Sequence, residues 1–201
     1  MIIIRPLTLF EREAVRQFYI ALEPEDRRKR FCCTLSDESI SKYVDRINFS
    51  SDTVLGAFDE HAQIVGLAEL VRGEKASEMA FSVRPDKRGQ KIGTRLTHRL
   101  VRRARLCGIH KVFVMFLSDN TPMRRMAIRA GMELSVADGE AYAVRELSPP
   151  SADELARWYL EEILSHSRYF GTLGITGWGS LAHPSALAVS PPEKPPLVPA
   201  N

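Results

Sequence analysis

Between residues 81 and 100 the chain reads FSVRPDKRGQKIGTRLTHRL: an apolar run, a turn at Arg84-Pro85-Asp86, two glycines and a basic amphipathic run. An apolar strand that feeds a glycine-containing turn and then a helix is a common way to hold phosphate. The turn exposes backbone N–H groups, and the helix N-terminus adds the positive end of its dipole. Gly89 and Gly93 remove side chains where a pyrophosphate would approach, while Arg88 and Lys91 supply point charge. Neither Gly-x-x-x-x-Gly-Lys-Ser/Thr nor Gly-x-Gly-x-x-Gly occurs, so the P-loop and the dinucleotide fingerprint are excluded. The competing reading is a solvated turn ahead of an arginine-rich helix. Charge favours an anion: residues 84–105 hold nine Lys or Arg and one acid, Asp86, in a chain of net charge +3. Nucleic acid and a multiply phosphorylated cofactor both answer to that field.

Two carboxylates are candidates for moving a proton. Glu78 opens the strand that leads into the loop; otherwise it is a solvated acid after the turn RGEKAS. Glu69 lies inside IVGLAELV, where a lone acid is unusual, unless it pairs with Arg72 at a sheet edge. Ser118 and Asn120 follow the apolar run KVFVMFL, and Asp119 or Asn120 can equally cap the next helix. Cys32, Cys33 and Cys107 have no metal spacing, and the five histidines form no ligand cluster, so no metal site is expected. The cysteines read as free thiols of a reducing, cytoplasmic compartment.

The elements that must position these groups follow from periodicity. Residues 2–5 read as a strand, and Thr8 with Glu11 has capping-box spacing for a helix starting near Leu9. EPEDRRKRF reads as a solvated connection, and 37–47 as a helix with Ile40, Tyr43, Val44 and Ile47 on one face. Strands are expected at 53–58, 62–71 and 76–84, forming an antiparallel meander. A helix over 91–107 and an apolar central strand at 111–117 follow, then a helix over 121–130 ending at Gly131. ELSV and AYAVREL close the sheet around Asp138-Gly139. The result is an α/β (α+β) domain over 1–147 with a mixed, mostly antiparallel sheet. Ser151 to Glu154 caps a further helix, giving a helical extension over 148–170. Eight of the twelve prolines lie beyond residue 148, and 171–201 reads as a Gly/Pro-rich irregular tail. No apolar run is long enough for a membrane span, and none suits a signal peptide.

In this order the elements resemble the GNAT family, the GCN5-related N-acetyltransferases. The family's cofactor motif, Arg/Gln-x-x-Gly-x-Gly/Ala, falls on Arg88, Gly89, Gln90, Lys91, Ile92 and Gly93, with Thr94 directly after it. Its second motif, an Asn with a Gly about eleven residues later, matches Asn120 and Gly131. SEMAFSV, SDNTPMR and the N-terminal IRPLTLFEREAVRQFYIALEPEDRRKRF look most like the protein-lysine acetyltransferase branch. The resemblance covers 1–147. It implies helices on both faces of the sheet and a central strand pair that splays apart to admit acetyl-CoA (coenzyme A). It also implies that Phe81 and Val83 offer their amides to the cofactor arm and that Asn120 contacts it. Two positions depart from the pattern. Lys91 replaces a glycine, harmlessly if it lies in the first helical turn. Ala127 stands where many members carry a tyrosine proposed to protonate the leaving thiolate.

Transfer of an acyl group to an amine requires a neutral nucleophile, and a lysine ammonium has a pKa of about 10.4. The resemblance makes Glu78 the expected general base, Glu69 the runner-up and Ser118 a speculative thiolate donor. The implied activity is acetyl-CoA-dependent N-acetyltransfer, with a protein lysine, a small amine or a peptide N-terminus as acceptor. Two other classes compete. One is a degenerate acyl-CoA-binding regulatory domain, motivated by Lys91 and Ala127. The other is nucleic-acid binding through Arg95, Arg99, Arg102 and Arg103, disfavoured because no aromatics interleave with them and no recognition module is legible. The expected partners are therefore an amine acceptor and a second copy in a homodimer, with no membrane.

Overall fold

The computed structural model describes residues 2–160 and residue 164. The expected end of the C-terminal helix and the 171–201 tail lie outside the described residues. Seven strands form one sheet: β1 (Ile3–Pro6), β2 (Thr53–Phe58), β3 (Ile64–Val71), β4 (Ser77–Val83), β5 (Lys111–Leu117), β6 (Glu133–Ala137) and β7 (Glu140–Glu146). Their order is β1-β2-β3-β4-β5-β7-β6. Every neighbouring pair is antiparallel except β4 with β5. The mixed, mostly antiparallel sheet expected from the sequence is the one that forms.

Period-two alternation gives the sheet two apolar faces, and each is covered. On one face, Val54, Phe58 and Leu67 pack against α1 (Arg12–Ile20) and α3 (Asp37–Asp45). On the other, Leu55, Ala68, Leu70 and Met79 pack against α4 (Ile92–Leu106) and α5 (Thr121–Arg129). The run KVFVMFL is indeed central: Val112, Val114 and Phe116 are buried toward α4, while Phe113, Met115 and Leu117 are half-buried on the opposite face. Gly66 sets how closely α4 approaches β3. A Cβ there would meet Ile92 Cγ2, Leu96 Cδ1 and the Ser82 carbonyl oxygen, each at 3.2 Å.

The two capping boxes read from the sequence are both made. The Thr8 N–H donates to Glu11 Oε2 at 2.9 Å. In a helix over 152–160, labelled α6, Glu154 N–H donates to Ser151 Oγ at 3.2 Å and Ser151 N–H to Glu154 Oε2 at 2.9 Å. One expectation fails: EPEDRRKRF is not a connection but carries a helix, α2 (Pro24–Phe31). It has no apolar stripe, so its periodicity is silent. Its order of charges is the legible signal, with Pro24 at the start, Glu25 and Asp26 in the first turn, and Arg28, Lys29 and Arg30 in the last. No helix among the described residues is long and apolar enough to cross a membrane.

Candidate active site

The sheet opens at its one parallel junction. β4 and β5 pair only at Ser77 with Val112 and Glu78 with Phe113, and beyond Glu78 they part. The exposed edge of β4 can be read from its other side. Arg84 N–H donates to Val65 O at 3.0 Å, so even-numbered residues of β4 spend their backbone groups on β3. Phe81 and Val83 therefore turn N–H and C=O into the gap, and the Val83 carbonyl accepts from Arg88 Nε at 3.2 Å.

The glycine loop closes the mouth of this gap. After a 3-10 turn at Pro85–Lys87, Gly89 takes φ +80°, a conformation natural to glycine. Lys91 takes φ +59° and ψ +17° as the N-cap of α4. The expectation that Lys91 lies in the first helical turn is thus corrected: it carries the left-handed strain that a glycine would avoid, about 1–2 kcal/mol for an L-residue. Helix α4 begins one residue later, with its free N–H groups at the cleft. A Cβ on Gly93 would sit 3.3 Å from Met126 Sδ and 3.9 Å from Val83 Cγ2, so that glycine keeps the wall between loop and α5 thin.

These elements bound a cleft of about 460 Å³. Phe81, Val83, Arg88, Gly89, Lys91, Ile92, Gly93, Thr94 and Asn120 all line it, as expected of candidate binding residues. Ile92 offers only backbone, because its side chain is in the core. Gln90, between Gly89 and Lys91 in the loop, is exposed and is not among the lining residues. Asn120 does two jobs, since its Oδ1 also accepts from Met123 N–H at 3.3 Å as the N-cap of α5. Met123 and Met126 line the cleft, and Met123 also packs against the core. Ser82 was missed. Its hydroxyl is buried with no hydrogen-bond partner among the described residues, and its residue lines the cleft. Its place between Phe81 and Val83 was the available signal.

Helix α2 spans the opening. Asp26 Oδ1 accepts from Arg88 Nη2 at 2.6 Å, and Asp119 Oδ2 accepts from Arg28 Nη2 at 2.8 Å. The first of these holds the loop arginine with a carboxylate that is itself 10% exposed. The second ties α2 to the exit of β5. Deeper, Arg30 on α2 reaches a buried carboxylate.

That carboxylate is Glu69, 1% exposed on the α1–α3 face. It accepts from Tyr43 Oη at 2.6 Å, from Arg30 Nη2 at 3.0 Å and from Tyr19 Oη. Arg30 also donates to Tyr43 Oη at 2.7 Å and lies over the Phe31 ring at 4.7 Å. Burial and the Glu69 charge push the Tyr19 and Tyr43 hydroxyls above the usual tyrosine range, against the pull of Arg30. Glu69 thus pairs with Arg30 rather than with Arg72, which donates to Cys107 O at 2.9 Å.

Glu78 is placed differently. It is half-buried at the last paired position of β4, the apex of the opening, on the same face as Glu69. Its neighbourhood is read at Cys32, a left-handed residue that ends α2. Burial, then the Glu140 charge, then Cys33 and Glu78 push the Cys32 thiol up, while Arg30 opposes them. Glu140 lies opposite Leu117 on β5, four residues along from Phe113, the partner of Glu78, so the two carboxylates flank the end of α2 from separate strands. Ser118 follows β5, its N–H donating to Gly139 O at 2.9 Å. Ala127 is buried in the core, and no tyrosine lines the cleft among the described residues.

Comparison with known proteins accords with this architecture. The GNAT domain of S. lividans PAT superposes with a TM-score of 0.61 at 20% identity, over 72% of this chain and 89% of that one. A phosphinothricin acetyltransferase from Sinorhizobium meliloti, solved with AcCoA, gives 0.60 at 17% identity, over 75% and 94%. Spermidine N-acetyltransferase from Vibrio cholerae, solved with CoA and spermine, gives 0.57 at 13% identity, over 72% and 95%. A model of the acetyltransferase (GNAT) family matches residues 14–132. With that match across more than half its length, the chain belongs to the GNAT acetyltransferase family.

Proposed function

We propose that this protein transfers an acetyl group from acetyl-CoA to an amine, directly, with Glu78 as general base. The observation that carries the reading is the unpaired edge of β4, which runs from the glycine loop to the half-buried carboxylate at the apex. Acetyl-CoA, when bound, supplies the activated thioester carbonyl. The residues present fit it: an orphaned Ser82 hydroxyl and the inward amides of Phe81 and Val83 suit an amide-bearing arm. The α4 N-terminus, Lys91 and Arg88 suit a diphosphate.

The Glu78 carboxylate draws a cationic amine toward the apex. Glu78 then accepts its proton, directly or through one water, so that a neutral amine meets the carbonyl. Met123 and Met126 exclude water from the slot and shape its apolar floor. The favoured acceptor is a protein lysine. Phe113, the β5 partner of Glu78, stacks with exposed Tyr142 at 6.4 Å, and a lysine stem can lie on that surface. A small amine is the alternative acceptor.

A second reading has its own observation. Ala127 is buried and no tyrosine hydroxyl reaches the cleft among the described residues, which suits a domain that binds acyl-CoA without turnover. Thiol release from acetyl-CoA, measured with a panel of amines and acceptor proteins, separates the two. Amine-dependent release that Glu78→Gln abolishes supports transfer. Binding of acetyl-CoA by calorimetry with no release under any acceptor supports the regulatory domain.

A further inference from the structure

The sheet face that carries Glu78 is covered unevenly. Helices α1 and α3 pack on the part made by β2 and β3. Further along the same face, Phe113, Met115 and Leu117 of β5 stand beside Val144, Tyr142 and Glu140 of β7, pair by pair. Among the described residues the five apolar members of this strip belong to neither buried cluster. Tyr142 is 42% exposed and the other four are half-buried. Beyond β7 lies only β6, the last strand of the sheet, so the strip runs out toward an edge.

Three carboxylates frame the strip. Glu78 stands beside Phe113, Glu133 beside Val144 and Glu140 beside Leu117, and cross-strand neighbours share a face. Among the described residues none of the three is paired with a Lys or Arg, whereas Glu69 is held by Arg30 and Glu154 by Arg105. Helix α2 lies over β4 and β5, yet its cations are already spent. Arg28 is bound to Glu25 and Asp119, Lys29 to Glu25 and Arg30 to Glu69. Lys111, at the start of β5, sits 4.0 Å from Glu146. An exposed apolar strip rimmed by one sign of charge is a surface built for a partner of the other sign. Its dimensions follow from the register. Phe113 and Leu117 are separated by about 13 Å along β5, and Glu78 and Glu140 flank that strand on opposite sides, about 10 Å apart across it.

We infer that this strip is the docking surface for an extended, basic segment of the acceptor protein, which sets its reacting lysine at Glu78 and a second cation, about three to five residues away, at Glu140. That the reacting end is the Glu78 end rests on the transfer reading above; the strip and its acids do not. The apolar floor takes the stems of the two cationic side chains, and those long stems absorb the diagonal between the carboxylates. The acids supply sign and register. An acidic segment or a nucleic acid meets like charge here. A second copy of this chain, docked about a two-fold axis, would bring the same unpaired acids into its own interface. A basic segment is the occupant that answers both the apolar floor and the carboxylates.

The test uses the full chain and fluorescently labelled peptides of neutral, flexible sequence with one lysine, read by anisotropy at low salt. A single arginine is moved through each position on either side of the lysine. The expected result is a gain in affinity of about fivefold for an arginine about three to five residues away on one side, the upper end for a part-exposed ion pair. The gain shrinks with salt and is absent with glutamate at the same position. In Glu140→Gln the gain falls below about twofold, which assigns it to that carboxylate. Circular dichroism checks the fold of that variant. If it does not fold, Tyr142→Ser, at an exposed position, is expected to weaken every arginine peptide about threefold. Three outcomes overturn the proposal: affinity indifferent to the arginine, a gain untouched in the folded variants, or a dimer in sedimentation that Tyr142→Ser dissociates. The last would give the strip to a second copy. Thiol release is measured separately. Peptides that bind as expected but never drive release leave the surface standing and sink the transfer reading. Brisk release with small amines and no arginine dependence does the reverse.

Discussion

Two polar regions lie a few residues apart on this sheet and are built on opposite principles. Around Glu69, every oxygen of the carboxylate is used: two tyrosine hydroxyls and an arginine converge on it out of solvent. Around the β4–β5 opening, groups are left wanting. Ser82 has a buried hydroxyl with no partner among the described residues, Lys91 holds a strained backbone, and Arg88 is half exposed with one acid to hold it. The contrast separates two uses of polarity. A buried network in which both carboxylate oxygens are taken, although Arg30 Nε finds no partner among the described residues, fixes where α1, α2 and α3 meet the sheet. An unsaturated cleft stores the capacity to bind. The same helix, α2, joins them, since Arg30 serves the first region and Asp26 the second.

The largest effects should come from emptying the saturated region. Glu69→Ala leaves Arg30 and two tyrosine hydroxyls buried without their acceptor, and removing one partner of a buried ion pair costs about 3–5 kcal/mol. Urea denaturation should register that loss, and a midpoint near wild type would refute the network's role. Tyr43→Phe deletes one donor to a charged acceptor and should cost about 1.5–3 kcal/mol. It should also change the response to alkali. Both tyrosine pKa values are raised in the folded state, so their stabilising share is complete below the unfolded value of about 10 and is lost as pH climbs above it. Thermal melts from pH 8 to 11 should fall less steeply for Tyr43→Phe than for wild type.

In the open region the same kind of substitution should spare stability and remove activity. Glu78→Gln keeps shape and hydrogen-bonding capacity but loses the base. A drop in kcat of about 10²–10⁴ is the range for a lost general base, with a melting temperature near wild type. Full activity across pH 6–9 would move the base elsewhere, with Glu140 next to be substituted.

Much of this contrast was legible in the chain. The apolar runs of β3, β4 and β5 and the turns between them located the sheet, and the spacing of Arg88, Gly89 and Gly93 located the loop. Asn120 with Gly131 located α5. What was not legible had physical causes. Helix α2 has charge on every side, so no stripe reports it, and it holds Arg30, Asp26 and Arg28 in place. The partner of Glu69 lies 39 residues away in sequence, across a helix that periodicity missed. Glu140 comes beside Leu117 only because β7 sits next to β5, out of sequence order. Gln90 fell inside the motif by spacing, but the turn at Gly89 swings it to solvent.

The smallest expected effects probe how the open region is tuned. Lys91→Gly relieves the left-handed strain but gives the unfolded chain more freedom, so the net gain should be at most about 1 kcal/mol. Coenzyme A affinity should fall slightly in the same variant if the ammonium faces the diphosphate, so stability and binding would move in opposite directions. Asp26→Asn sharpens the point from the other side. Arg88 is held at 2.6 Å by an acid that any phosphate must outbid. Loss of that acid should tighten coenzyme A binding about two- to fivefold, because a part-exposed pair contributes about 0–1 kcal/mol. The gain should shrink as salt is raised. Weaker binding in Asp26→Asn would mean that the acid positions Arg88 for the ligand rather than competing for it, and α2 would then belong to the binding apparatus as much as to the anchor.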